Sequence, residues 1–104
     1  MEPTAKVSES RLSENSILSI YEDRSGVLWI GTGGGGLNKF NKETEKFFHY
    51  KNIPNNPNSL INNSVRTINE DDSGMLWIGT DRGLSKFDKE KGIFTNYINN
   101  PKGI

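Results

Sequence analysis

The string EDRSGVLWIGT at residues 22–32 returns as EDDSGMLWIGT at residues 70–80, 48 positions later. The echo extends outward in both directions. Ile17, Ile20, Trp29 and Thr32 fall on Val65, Ile68, Trp77 and Thr80. Beyond it, Leu37 and Phe40 match Leu84 and Phe87, and Phe47 and Tyr50 match Phe94 and Tyr97, now 47 apart. A period of about 20–50 residues is the mark of a repeat architecture, in which one unit cannot bury its own apolar face.

Each unit divides into four short apolar segments separated by turn residues. In the first, residues 17–21 form a short apolar run. Asp23 to Gly26 reads as a turn, because Asp and Ser bond locally to the backbone and Gly26 tolerates a positive φ. Val27 to Ile30 is β-branched and aromatic, and is predicted to be a buried strand. Gly31 to Gly36 breaks it. Leu37 to Phe40 alternates with period two, residues 41–45 form a polar turn, and Lys46 to Tyr50 is a fourth strand. The second unit repeats the order: strand 65–69, turn 71–74 with Asp71 and Gly74, strand 75–78 with Trp77, and a break opened by Gly79. Strand 84–87, turn 89–92 and strand 93–97 follow. No window keeps a helical stripe, and glycine interrupts too often for one.

Four short antiparallel strands per unit is the pattern of a β-propeller blade. The expected fold is all-β: two four-stranded blades, an incomplete propeller unless other blades join it. The first unit's break is one residue longer than the second's, an extra glycine in the alignment, which predicts a bulge or a wider loop there. The Pro- and Asn-rich stretch 52–59 is a turn-forming connector, since the register resumes at once. The expected organisation is a tail at 1–11, a first blade with connector at 12–59, a second blade at 60–98, and the start of a truncated connector at 99–104.

The doubled pattern Leu12/Leu60, Asn15/Asn63, Ser16/Ser64, then Glu-Asp-x-x-Gly-x-Leu-Trp-Ile-Gly-Thr and Gly-Leu-x-Lys-Phe, resembles the two-component regulator propeller repeat over about residues 12–98. That resemblance implies blades of a sevenfold propeller. It also implies an extracytoplasmic sensor region of hybrid histidine kinases and related regulators, frequently for glycans. The chain shows two blades, no membrane segment and no kinase. No export signal is read in its first 16 residues.

Composition narrows the function classes. Thirteen basic and thirteen acidic side chains give zero net charge in 104 residues, so there is no basic footprint for nucleic acid. No apolar stretch approaches a membrane span, so no membrane contact is expected from this chain. Cysteine is absent and His49 stands alone, so neither a cofactor nor a metal is expected. His49, between Phe48 and Tyr50, reads as a strand-surface residue.

The candidate sites each have a structural alternative. Asp23, Gly26, Trp29 and Gly31, with Asp71, Gly74, Trp77 and Gly79, form the repeat signature. Both Trp residues suggest glycan stacking, but their mid-strand place favours packing between blades. Glu22–Asp23 and Glu70–Asp71 suggest paired carboxylates of a glycosidase. Neighbours on a strand point to opposite faces, however, and turn stabilisation fits better. The turn also resembles the Asp-box hairpin of sialidase-type propellers, with Arg24 departing from it. Gly33 to Gly36 lacks the Lys-Ser or Lys-Thr of a phosphate cradle. Arg82 with Asp81, in a loop at a blade end, is the choice for a polar ligand contact, and Arg66 is a weaker one. The expected function is a non-enzymatic binding or sensor module, possible partners being further blades and a glycan. The alternatives are a propeller lyase or glycosidase formed only on assembly, and a remnant without a role of its own.

Overall fold

A computed structural model describes residues 16–98. The expected repeat start at Leu12, the tail 1–11 and residues 99–104 lie outside the described residues. Eight strands follow in order: β1 (Ile17–Glu22), β2 (Leu28–Thr32), β3 (Leu37–Asn41), β4 (Lys46–Tyr50), β5 (Val65–Glu70), β6 (Leu76–Thr80), β7 (Gly83–Asp88) and β8 (Ile93–Ile98). They make two separate four-stranded sheets, β1-β2-β3-β4 and β5-β6-β7-β8, antiparallel throughout. These are two blades, hereafter blade 1 and blade 2, and they do not close into a ring.

The register shows why the two units fold alike. Trp29 pairs with Tyr21 and Lys39, and Trp77 with Asn69 and Lys86. The register slips in the first strand of each blade, between Ile17 and Ser19 and between Val65 and Thr67. The extra glycine of blade 1 therefore has no bulge of its own. It lengthens the β2–β3 loop, whose amides are spent inside the chain. Gly33 N donates to Ser16 O at 2.8 Å, and Gly34 and Gly36 N donate to Asn63 O at 3.1 and 2.8 Å. Gly35 N donates to Thr32 Oγ1 at 2.9 Å. This leaves no amide nest for an anion.

The core lies in the seam between blades, where β5 packs on β1 and β2. Trp29, Leu37, Tyr50, Val65, Ile68 and Phe87 share one buried cluster. Trp29 meets Phe87 edge-on at 5.7 Å, and Tyr50 meets Phe87 and Phe94 at 5.0 and 6.0 Å between ring centroids. Tilted and edge-on aromatic pairs each add about 0.5–1.5 kcal/mol beyond the area they bury.

The connector is bonded down as closely as a strand. Asn52 N donates to Asn63 Oδ1 at 2.7 Å, and Ile53 N to Ser59 Oγ at 2.9 Å. Phe94 N donates to Asn58 O at 2.9 Å, and Ile61 N to Ser85 Oγ at 3.1 Å. These bonds fix where blade 2 stands relative to blade 1.

Candidate functional site

Two regions hold the residues singled out by the repeat. The first is at the β1–β2 and β5–β6 hairpins. Asp23 is buried at the start of its turn. Its Oδ1 accepts from Ser25 N at 2.9 Å and Val27 N at 3.0 Å, and its Oδ2 accepts from Trp29 Nε1 at 2.8 Å. Asp71 repeats all three bonds with Ser73 N, Met75 N and Trp77 Nε1, at 2.9, 3.0 and 2.8 Å. One carboxylate thus folds the hairpin and satisfies the indole of a tryptophan six residues on, which burial requires. Gly26 and Gly74 close the turns at φ +86° and +85°, where a side chain would be strained.

Among the described residues, a lysine bonds the carboxylate of Asp23 and not that of Asp71. Lys89 Nζ, from the β7–β8 turn, lies 3.1 Å from Asp23 Oδ2 and 3.1 Å from Glu70 Oε2. Arg24 crosses the same seam. Its amide donates to Glu70 Oε1 at 3.0 Å and its Nη2 to Asp71 O at 2.6 Å. The side chains of Asp23 and Glu70 are 1% and 3% exposed, so this is a buried two-carboxylate, one-ammonium bridge between blades. Burial alone would raise the Asp23 pKa, but bonds from Trp29, the Val27 amide and Lys89 hold it below its ordinary value. Glu70 is lowered likewise, its burial outweighed by the Arg24 amide and Lys89. Asp71 is lowered chiefly by Trp77. Lys89 is raised, since its two carboxylates outweigh burial.

This arrangement bears on the paired-carboxylate reading. A glycosidase acid needs a raised pKa and an open face toward the sugar. Here Asp23, Glu70 and Asp71 are shifted downward and bonded into hairpins and seam, while Glu22 pairs with Lys42 at 3.1 Å. Among the described residues no cluster of His, Cys, Asp or Glu has the makings of a metal site.

The second region is the opposite end of the blades, formed by the β6–β7 loop and the connector. Asp81 accepts from Arg66 Nε and, at 3.4 Å, from its Nη2. That bond lowers the Asp81 pKa and raises that of Arg66. Among the described residues Arg82 donates only its amide, to Thr80 Oγ1 at 3.2 Å, and it lines an open groove of about 400 Å³. Asn52, Asn56, Ile61, Asn96 and Ile98 are among the other walls. So Asp81 is joined to Arg66, and Arg82 is the one cation among the described residues that line the groove. Trp29 and Trp77 are in the seam and on blade 2's open face, not at this end.

Lys89, Glu70 and Arg24 were missed as a group by sequence reasoning. The available signal was repetition: a Lys two positions after the repeated Phe (Lys42, Lys89) and a Glu before each turn Asp.

The hairpins, the shared seam and the blade order define a class: β-propeller blades. The two-component regulator propeller model matches the chain at residues 11–34 and 59–82, and sequence and structure together match that family. A similar solved structure is the extracellular domain of a protein described as the hybrid two component system BT3049 of B. thetaiotaomicron. It is 36% identical with a TM-score of 0.80, over 85% of this chain and 12% of that one. The extracellular domain of BT4673 from B. thetaiotaomicron appears in two structures, described once as a one component and once as a hybrid two component system. Identities are 28% and 27% and TM-scores 0.65 and 0.66, over 80% of this chain and 11% of those. The chain therefore spans about an eighth of the length of these relatives. No curated protein matches it. Among the described residues no helix is long and apolar enough to cross a membrane.

Proposed function

We propose that this pair of blades, 12–59 and 60–98, is a section of a non-enzymatic ligand-sensing propeller of two-component type. It acts outside the cytoplasm as part of a larger set of blades. The observation that carries the reading is the 36% identity, at a TM-score of 0.80, to an extracellular domain described as belonging to a hybrid two component system. The downward-shifted, fully engaged carboxylates favour it over a propeller lyase or glycosidase.

The ligand contact is assigned to the connector end, with Arg82 as donor to a polar ligand and Asp81 as an acceptor that must share with Arg66. A carbohydrate fits this chemistry, because its hydroxyls accept from a guanidinium and donate to Asn carbonyls such as those of Asn52 and Asn56. The test is a glycan screen followed by titration with Arg82→Ala. Binding that falls at least about tenfold with an unchanged unfolding midpoint is the expected result. A ligand held equally well by the variant removes Arg82 from the site, and no carbohydrate binding in any blade assembly removes the ligand class.

A further inference from the structure

The seam between the two blades opens into a groove at each end, and the two grooves differ in charge. The hairpin-end groove, about 560 Å³, is lined by five carboxylates and three cations, so acids prevail there. Two of its cations, Lys89 and Arg24, are already committed to Asp23 and Glu70. The connector-end groove reverses this balance. Arg82 lines it, and no carboxylate is among the described residues that do. Its walls are the connector that follows blade 1 and the β6–β7 loop and last strand of blade 2, so it is formed between the two blades present.

The charges at the connector end are not required by the repeat. Asp23 and Trp29 recur as Asp71 and Trp77, whereas Arg66, Asp81 and Arg82 fall on Leu18 and on the glycines of 33–35. Blade 1 builds the same four-stranded sheet without them. Its own loop offers no charged side chain, and its amides are spent on Ser16 O, Asn63 O and Thr32 Oγ1. Within blade 2 the three charges are divided unequally. Both oxygens of Asp81 accept from Arg66, Oδ1 from Nε and Oδ2 from Nη2, the latter at 3.4 Å. That pairing draws the Asp81 pKa down and the Arg66 pKa up. Arg82 is exposed and has no ion-pair partner among the described residues. With Asp81 held by Arg66, the loop does not neutralise Arg82.

A guanidinium bonds an oxyanion more strongly than a hydroxyl, because the hydrogen bonds are charge-assisted and its fork meets a carboxylate at two points. The apolar groups of the groove, Ile53, Pro54 and Ile61, suit the C–H face of a sugar ring, and exposed Asn55 suits its hydroxyls. We infer that the ligand of this groove is an acidic sugar, a uronide whose carboxylate is taken by Arg82, and that Arg66 is the positioning residue that keeps Asp81 off that guanidinium. The inference deepens the ligand assignment made above and rests on it.

The experiment is calorimetric titration of the full chain with oligogalacturonate and oligoglucuronate, each beside its methyl ester, which masks the carboxylate and keeps the ring. Urea unfolding midpoints check that every variant is folded. The wild type is expected to bind one of the acids at least about tenfold more tightly than its ester, an advantage that shrinks with added salt. Arg82→Gln should bind acid and ester alike. Arg66→Gln, which releases Asp81 beside Arg82, should weaken the acid at least about threefold and leave the ester unchanged. Arg66→Gln with Asp81→Asn should restore the affinity for the acid. A merely structural role for Arg66 would move acid and ester together, with no rescue, and would overturn its positioning role. An ester bound as tightly as its acid, or an acid preference that survives Arg82→Gln, overturns the inference and leaves the carbohydrate assignment standing. So does a chain that binds a neutral glycan and neither uronide. A chain that binds no carbohydrate at all overturns both.

Discussion

Trp29 and Trp77 occupy the same position of the same hairpin, bond the same Asp at the same 2.8 Å, and end in different environments. Trp29 is 2% exposed beneath Phe87, while Trp77 is half-buried against Tyr97 and the Lys86 ammonium, 5.5 Å from its ring. Local sequence does not separate them. What separates them is that blade 1 is followed by a blade and blade 2, within this structure, is not. The hairpin is therefore a local device, and the core belongs to the seam.

Substitutions at matched positions of the isolated chain should be unequal in a fixed direction. The largest difference is expected at the tryptophans. Trp29→Ala should cost about 3–5 kcal/mol in urea unfolding, as large core aromatics do, and Trp77→Ala about 1–2 kcal/mol, as for a partly covered side chain. Equal losses would break the comparison. The glycines come next. A Cβ on Gly31 would meet Val65 of the next blade, Cγ1 at 2.6 Å and the backbone O at 2.8 Å, besides Ser19 Oγ. A Cβ on Gly79 would meet only Thr67, through a hydroxyl that can rotate away. Gly31→Ala should thus cost about 1–3 kcal/mol by wedging the seam, with Gly79→Ala costing less.

The lysines sharpen the same contrast. Lys89→Met removes the ammonium shared by buried Asp23 and Glu70, and should lower stability by about 1–3 kcal/mol. Lys42→Met, on a half-exposed pair, should change stability by less than about 1 kcal/mol.

The smallest effect is on pH. Asp23 and Glu70 have folded pKa values below their ordinary 3.8 and 4.5, so their contribution is fully present above those values. It is lost as pH falls through the lower, folded values. Lys89 has its pKa raised above 10.5, so its share is present below that value and lost as pH rises through the folded one. Thermal midpoints should fall below about pH 4, and Lys89→Met should flatten that fall. An acid limb identical in the variant would place the pH sensitivity elsewhere.

Much of the fold was legible because the repeat states each strand twice. Strand order, turn positions and the all-β class follow from residues within one unit, where period-two alternation and Asp-x-x-Gly turns are local signals. The indole–carboxylate bond was half legible: a buried Trp asks for an acceptor and Asp23 is six residues away, but the pairing needs the hairpin's register. The Lys89 bridge was not legible. It joins residues 66 apart, and Lys89 stands in a polar turn that reads as solvent-facing. Arg24 read as a departure from an Asp-box pattern because its partners, Glu70 and the Asp71 carbonyl, belong to another blade. Of the bulge or wider loop expected at the glycines of blade 1 the structure has the wider loop, while the register slips in the first strand of each blade, between Ile17 and Ser19 and between Val65 and Thr67, beside the close approach at Gly31 and Gly79. The connector end is the least legible part, since Arg82's surroundings come from the connector and from Asn96, 14 residues on.

The most direct test of the central claim, that one hairpin is sealed by the blade after it and the other is open, is acrylamide quenching of tryptophan fluorescence. Trp77→Phe and Trp29→Phe each leave one indole, and both are measured at a dilution where the chain is monomeric. The expected result is strong protection of Trp29 and free quenching of Trp77. Equal quenching of the two would contradict it, because the seam would then not be what buries Trp29.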